Sequence, residues 1–160
     1  MKRLRKLVTF SLDDWRLALY LSVVQKIIRV VEVTALPKAP EIVAGIINLQ
    51  GRVIPVFDIR RRFQLPAREM QLSDQFIIAT TVKHTVGLIV DSVEGVIEIP
   101  GERIITAEEI LPELKYVAGV MKTEGGMVLI HDLERFLSLS EERELEQALE
   151  ALHRNERQDG

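Results

Sequence analysis

Val43-Ala44-Gly45-Ile46-Ile47-Asn48-Leu49-Gln50-Gly51-Arg52-Val53-Ile54-Pro55-Val56-Phe57-Asp58-Ile59-Arg60-Arg61 returns 74 residues later, without a gap, as Val117-Ala118-Gly119-Val120-Met121-Lys122-Thr123-Glu124-Gly125-Gly126-Met127-Val128-Leu129-Ile130-His131-Asp132-Leu133-Glu134-Arg135. Six positions are identical, including the opening Val-Ala-Gly, so the 160 residues read as two similar halves. Weaker echoes lie outside the copies. Val30-Val31-Glu32-Val33 is answered by Val96-Ile97-Glu98-Ile99, and Leu17-Ala18-Leu19 by Gly87-Leu88-Ile89.

Working outward, short apolar or alternating runs bounded by turn residues give the strands. In the first half they are Leu7–Leu12, Trp15–Leu21, Ile27–Thr34, Ile46–Leu49 and Val53–Phe57; in the second, Gln75–Val82, Thr85–Val90, Val93–Ile99, Val117–Lys122 and Met127–Ile130. Asp13-Asp14, Gln50-Gly51 and Gly125-Gly126 suit tight hairpins, and Gly51 is free to take positive φ. Each half therefore predicts a small β-barrel. Asp58 and Asp132 stand where N-caps belong, before short turns ending at Phe63 and Leu137. Pro55 cannot donate to a ladder, which places it at a partner-accepting edge or an irregular corner. From Ser140 the period changes: Leu145, Ala148, Leu149 and Leu152 form one helical stripe, which must dock on its own barrels or in a partner's groove.

Composition agrees with a mainly β domain. The chain holds 17 Val and 16 Ile beside 20 Leu, a β-branched load that suits pleated surfaces. Absence of Cys excludes disulfides, thiolate metal sites and Cys nucleophiles, and fits a reducing cytoplasm. The longest apolar stretch, Leu17 to Val24, is far shorter than the roughly 20 residues of a membrane helix, so no direct membrane insertion is expected. The basic start Lys2-Arg3-Leu4-Arg5-Lys6 is interrupted too soon by Asp13-Asp14 for a signal peptide and reads as a solvated arm. A net charge of −3 argues against a nucleic-acid surface.

Chemistry is sparse. His84, His131 and His153 lie far apart and show no metal spacing, and no serine sits in a glycine-flanked elbow. His131-Asp132 is the one pair that could serve a small metal-dependent hydrolase, but the matching slot in the other half is Phe57-Asp58. Arg60-Arg61-Arg62 fans across about 300° of a helical turn and reads as solvated. No catalytic residue, metal or cofactor is assigned. A binding module is favoured over an enzyme.

Val24-Gln25-Lys26-Ile27, Leu36-Pro37-Lys38-Ala39-Pro40, the run from Gly45 to Arg60 and Val86-Gly87-Leu88-Ile89-Val90-Asp91-Ser92-Val93 together resemble the CheW family of chemotaxis coupling proteins, from about Lys6 to Leu139. The resemblance implies a single CheW-like domain over 1–160 with two intertwined five-stranded, Src-homology-like β-barrels, short helices and a C-terminal helix. The approximate division is subdomain 1 at 15–82, subdomain 2 at 6–14 and 83–139, and a helix and tail at 140–160. It implies a stand-alone, non-catalytic cytoplasmic adaptor, recruited to membrane-bound receptor arrays. Its partners would be the cytoplasmic tips of methyl-accepting chemoreceptors and the regulatory domain of a CheA-type histidine kinase, with possible self-association through barrel ends. An adaptor for a non-chemotactic pathway controlling motility or gene expression is the alternative.

By the same resemblance the receptor groove takes Val24, Lys26, Ile27, Gly45, Asn48, Gln50, Gly51 and Val86, although packing or backbone geometry also accounts for several of these. Two positions depart from the family pattern. Val-x-Glu-Ile stands here with Lys26, and Asn-Leu-Arg-Gly with Gln50, so an acid has become a base and a base has become neutral. Losing both members of a charge pair together is coherent, since a lone half-buried charge costs more than removing the pair.

Overall fold

The computed structural model describes residues 3–106 and 116–159. Among these are strands β1 (Leu4–Leu12), β2 (Trp15–Tyr20), β3 (Val24–Arg29), β4 (Val43–Leu49), β5 (Arg52–Phe57), β6 (Gln75–Thr80), β7 (Thr85–Val90), β8 (Ser92–Pro100), β9 (Ile104–Thr106), β10 (Val117–Thr123) and β11 (Gly126–His131), and helix α1 (Leu139–Asp159). Short 3-10 turns occupy Leu21–Val23, Ile59–Arg61 and Gly101–Arg103.

The duplication is a duplication of topology. One sheet runs β8-β1-β2-β11-β10-β9 and the other β3-β6-β7-β5-β4. In both, the repeated hairpin joins the sheet through a parallel pair, β11 with β2 and β5 with β7. Even the irregularity recurs: the register of β4 on β5 shifts between Val43 and Gly45, and that of β10 on β11 between Val117 and Gly119. The amino-terminal hairpin β1–β2 thus completes the sheet of the second copy, and β6–β7 that of the first. Val56 pairs with Gly87 and its counterpart Ile130 with Ala18, so the echo of Leu17-Ala18-Leu19 in Gly87-Leu88-Ile89 lies one residue out of step.

The two expected five-stranded barrels are not formed: both sheets are open, one of six strands and one of five. Each nevertheless curls. β8 and β9 lie at opposite ends of their sheet but are joined only by Gly101–Arg103. Such a link reaches no more than about 14 Å, whereas five flat strand spacings would hold the edges about 24 Å apart. Closure fails because the returning chain pairs too little. The strand expected at Ile27–Thr34 ends at Arg29, opposite Gln75, where β6 begins and its ladder stops. The chain then makes a single bridge to the far edge, with Thr34 N–H to Ile46 O at 2.9 Å and Ile46 N–H to Thr34 O at 2.8 Å. In the other sheet the equivalent return is β9, three residues on β10. A β-carbon at Gly45 would lie 2.3 Å from Thr34 O, and one at Gly119 would lie 2.9 Å from Ile104 and 3.0 Å from Ile105 O. Glycine at both sites admits the returning strand. Pro55 sits inside the sheet, because β5 lies between β7 and β4; the parallel pairing to β7 starts just after it, at Val56.

Among the described residues three apolar clusters result. Leu7, Ala18, Met121, Val128 and Ile130 fill the curl of the six-stranded sheet, and Ile47, Ile54, Val56, Phe76 and Ile78 that of the five-stranded sheet. Alternate residues of the same strands, Phe10, Leu12, Leu17 and Leu19 with Phe57, Ile77, Ala79, Val86 and Leu88, face each other between the sheets. Both faces of the central strands are buried, which is why they read as unbroken apolar runs. Helix α1 adds Leu145 and Ala148 to this shared core, so its stripe docks on its own domain. Ser138 and Glu141 start the helix as a capping box: Glu141 N–H donates to Ser138 Oγ at 3.1 Å and Ser138 N–H to Glu141 Oε1 at 2.9 Å.

Candidate partner-binding groove

Where the β6–β7 turn meets the segment before α1, a groove of about 340 Å³ opens between the two halves. Val86, Leu133 and Leu137 are its apolar lining, and Lys83, His84, Glu134 and Glu142 stand around it. The turn is shaped by one side chain. Thr81 Oγ accepts from Lys83 N–H at 3.3 Å and His84 N–H at 2.9 Å and donates to His84 O at 3.1 Å. Its tip is held across the groove, with Val82 N–H donating to Glu134 Oε1 and Lys83 Nζ to Glu142 Oε2, each at 3.0 Å. Val82 itself projects outward, 88% exposed. A soft apolar lining with a charged rim fits a macromolecular side chain better than a small substrate.

Of the residues assigned by resemblance, Val86 is in this groove. Val24 lies on the same register row, opposite Ala79, which pairs in turn with Val86. Lys26 and Ile27 follow on the same outer strand, both exposed, after a register shift at Gln25. Asn48, Gln50 and Gly51 form the β4–β5 turn, with φ of 53° at Gln50 and 83° at Gly51. Asn48 is engaged internally there: its Oδ1 accepts Gly51 N–H at 2.9 Å. Gly45 is buried against Thr34. Lys26 and Gln50 belong to opposite edges of the five-stranded sheet, and among the described residues neither is linked to the other by a hydrogen bond or ion pair. Val82, Leu133 and Leu137 escaped the sequence reading because loops, not periodic elements, bring them together.

The arginine run is not solvated as expected. Arg60 is buried, and its Nη2 donates to Asp91 while Nη1 lies 2.9 Å from Asp13 without hydrogen-bond alignment. Arg68 donates to the same Asp91 and forks onto buried Asp74 at 2.8 and 3.0 Å. Burial works against the charge on Asp91, but hydrogen bonds from Arg60, Asp13 N–H and Arg68 outweigh it and hold its carboxyl below the usual range. This chain of charges ties the β1–β2 turn to the turn after β5, at the point where β7 passes into the other sheet. Arg62 binds Glu141 and Phe136 O, joining α1 to the same region. Of the three, only Arg61 is exposed.

The hydrolase alternative fails on geometry. His131 is sealed among the rings of Phe63 and Phe136, with centroids at 5.7 and 5.5 Å, and neither ring nitrogen has a hydrogen-bond partner. Burial, with Arg62 nearby, pushes its pKa down to about 3, so the imidazole is neutral. Asp132 is used as a turn cap, accepting Glu134 N–H at 3.0 Å. No cluster of three or more metal-ligating side chains occurs among the described residues.

The family model described as a CheW-like domain matches residues 6–141. A chemotaxis protein CheW from Rhizobium meliloti is 30% identical over 142 residues, covering 88% of this chain and 91% of that protein. One from Treponema pallidum is 26% identical over 146 residues, covering 88% and 86%. The crystal structure of the scaffolding protein TtCheW from Thermoanaerobacter tengcongensis matches with a TM-score of 0.78 and 32% identity, over 88% of this chain and 96% of that one.

Proposed function

The chain belongs to the CheW family, as a non-catalytic adaptor coupling chemoreceptors to the histidine kinase CheA, and we propose that the groove beside Val86 is where it receives the receptor. The occupant is the cytoplasmic tip of a methyl-accepting chemoreceptor, whose apolar side chains seat on Val86, Leu133 and Leu137. Val24, Lys26, Ile27, Asn48, Gln50 and Gly51 extend the contact along the five-stranded half. The regulatory domain of the kinase occupies a separate face, and the assembly is recruited to receptor arrays at the membrane. No helix among the described residues is long and apolar enough to cross a membrane.

The observation that carries this reading is an apolar groove between the β6–β7 turn and the segment before α1, pinned on both sides and rimmed by the exposed Val82. Co-sedimentation with receptor-tip fragments and with the kinase regulatory domain tests it. Val82→Glu is expected to weaken receptor binding about tenfold while leaving the kinase interaction intact, as expected when one apolar anchor is replaced by a charge. Absence of binding to both partners would defeat the reading.

A further inference from the structure

A second surface lies at the start of β1, on the six-stranded sheet. β1 pairs with β8 as far as Leu4 opposite Pro100, but its pairing with β2 stops at Leu7 opposite Tyr20. Leu4–Lys6 therefore overhangs, with its backbone edge toward β2 unpaired. The chain turns away there through Leu21–Val23, and no backbone hydrogen bond joins that turn to the overhang. The notch between them measures about 520 Å³ and is lined by Arg3, Leu4, Arg5, Lys6, Tyr20, Leu21 and Ser22.

Charge marks this notch. Arg3 and Arg5 have no carboxylate partner among the described residues, while Lys6 lies 3.7 Å from Glu98. The Arg5 guanidinium stands 4.5 Å over the Tyr20 ring, a stacking that orients the group and leaves its edge donors free. Arg3 stands just before β1, where its carbonyl accepts Gly101 N–H at 2.9 Å, and Arg5 lies within it, two residues apart, which is the spacing of side chains on one face of an extended chain. The rest of the molecule is net acidic, which disfavours a polyanionic duplex or a lipid sheet over a short acidic peptide that touches the notch alone.

We propose that this notch binds an extended, acidic segment of a partner protein, which adds as a short strand to the open edge of β1 and places alternate carboxylates on Arg3 and Arg5. The site is independent of the receptor groove.

The test is NMR titration of the isotope-labelled full chain with a capped hexapeptide alternating Glu and Val. Saturable amide shifts at Leu4–Lys6 and Tyr20–Ser22 are expected, with affinity falling at least fivefold in Arg5→Glu and on raising salt. A peptide with Lys in place of Glu, or one N-methylated at alternate residues, should bind at least fivefold more weakly. Arg3→Glu serves the same purpose if Arg5→Glu does not give a dispersed spectrum. No shifts at millimolar Glu peptide, equal affinity of the charge-reversed variant, or equal affinity of the Lys or N-methylated peptide would overturn the proposal. So would phosphatidylglycerol vesicles or a DNA duplex perturbing these amides more strongly than the peptide does.

Discussion

Phe57 and His131, equivalent positions of the two repeats, pack on the same ring: Phe136 lies 4.9 Å from Phe57, edge to face, and 5.5 Å from His131. The repeat thus brings two aromatic rings against one shared phenyl group, but only one of the pair carries polar atoms. Those atoms are buried without partners, so this half of the contact is the weaker one.

His131→Phe should stabilise the fold by about 1 kcal/mol, since it removes unsatisfied buried polar atoms while keeping a ring in the slot. That corresponds to a rise in Tm of about 2–4 °C. The gain should grow on acidification. His131 has a folded pKa of about 3, below the value of about 6.5 in the unfolded chain. Its contribution to stability is complete above the unfolded pKa and declines as pH falls from there toward 3, because only the unfolded state takes the proton. Thermal melts of both proteins between pH 7 and pH 4 should diverge; a constant gap would contradict the assignment.

Glycine substitutions should separate close approach from turn geometry. Gly45→Ala drives a methyl group into the Thr34 carbonyl and is expected to cost more than about 2 kcal/mol, with loss of the Thr34–Ile46 bridge. Gly51→Ala meets no atom within 4 Å and bears only the penalty of positive φ, about 1 kcal/mol. Urea unfolding ranks the two, and hydrogen exchange at the Thr34 and Ile46 amides reports the bridge.

Asp91→Asn should cost about 3 kcal/mol or more, because it leaves the buried Arg60 guanidinium short of its counter-charge. The wild-type protein should lose the same contribution in acid. The folded carboxyl is depressed, so the stabilisation is present above the ordinary Asp range and is lost as pH falls through the folded value. Acid unfolding of the variant should show a shallower dependence in that window.

Lys26→Glu together with Gln50→Arg restores the charges usual in the family. Because the two lie on opposite edges of the five-stranded sheet, each should act on the receptor, and the double variant is expected to bind an ordinary receptor tip more tightly by about 1 kcal/mol or more, the single effects adding. Calorimetric titration of the double and single variants forms the cycle; weaker binding by the double variant would contradict a role for these two positions in the receptor contact.

The repeated hairpins were legible because their signals are local. A turn residue, a bulge and a glycine at one spacing recur at the other copy, and the structure repeats them down to the register shift. The end of β3 was not legible, because it is set by where β6 runs out rather than by anything in Val30–Val33. The same reason turned an expectation of closed barrels into open sheets. Arg60 shows the limit for polar groups. Three successive arginines cannot share a face, but which one points inward depends on Asp13 and Asp91, brought in from other strands. Ser138 and Glu141 have the spacing of a capping box, but the helix start expected at Ser140 rested on the apolar stripe alone, and the cap emerged only with the structure.

The crossed allocation of strands bears on how the molecule is made. β1 and β2 leave the ribosome well before their sheet neighbours Ser92–Pro100 and Gly126–His131. Until residues 24–90 have followed, Phe10, Leu12, Leu17 and Leu19 have no opposing layer, and the nascent hairpin exposes an apolar face. The five-stranded sheet, drawn wholly from residues 24–90, can assemble in the meantime and serve as the template on which the early hairpin waits.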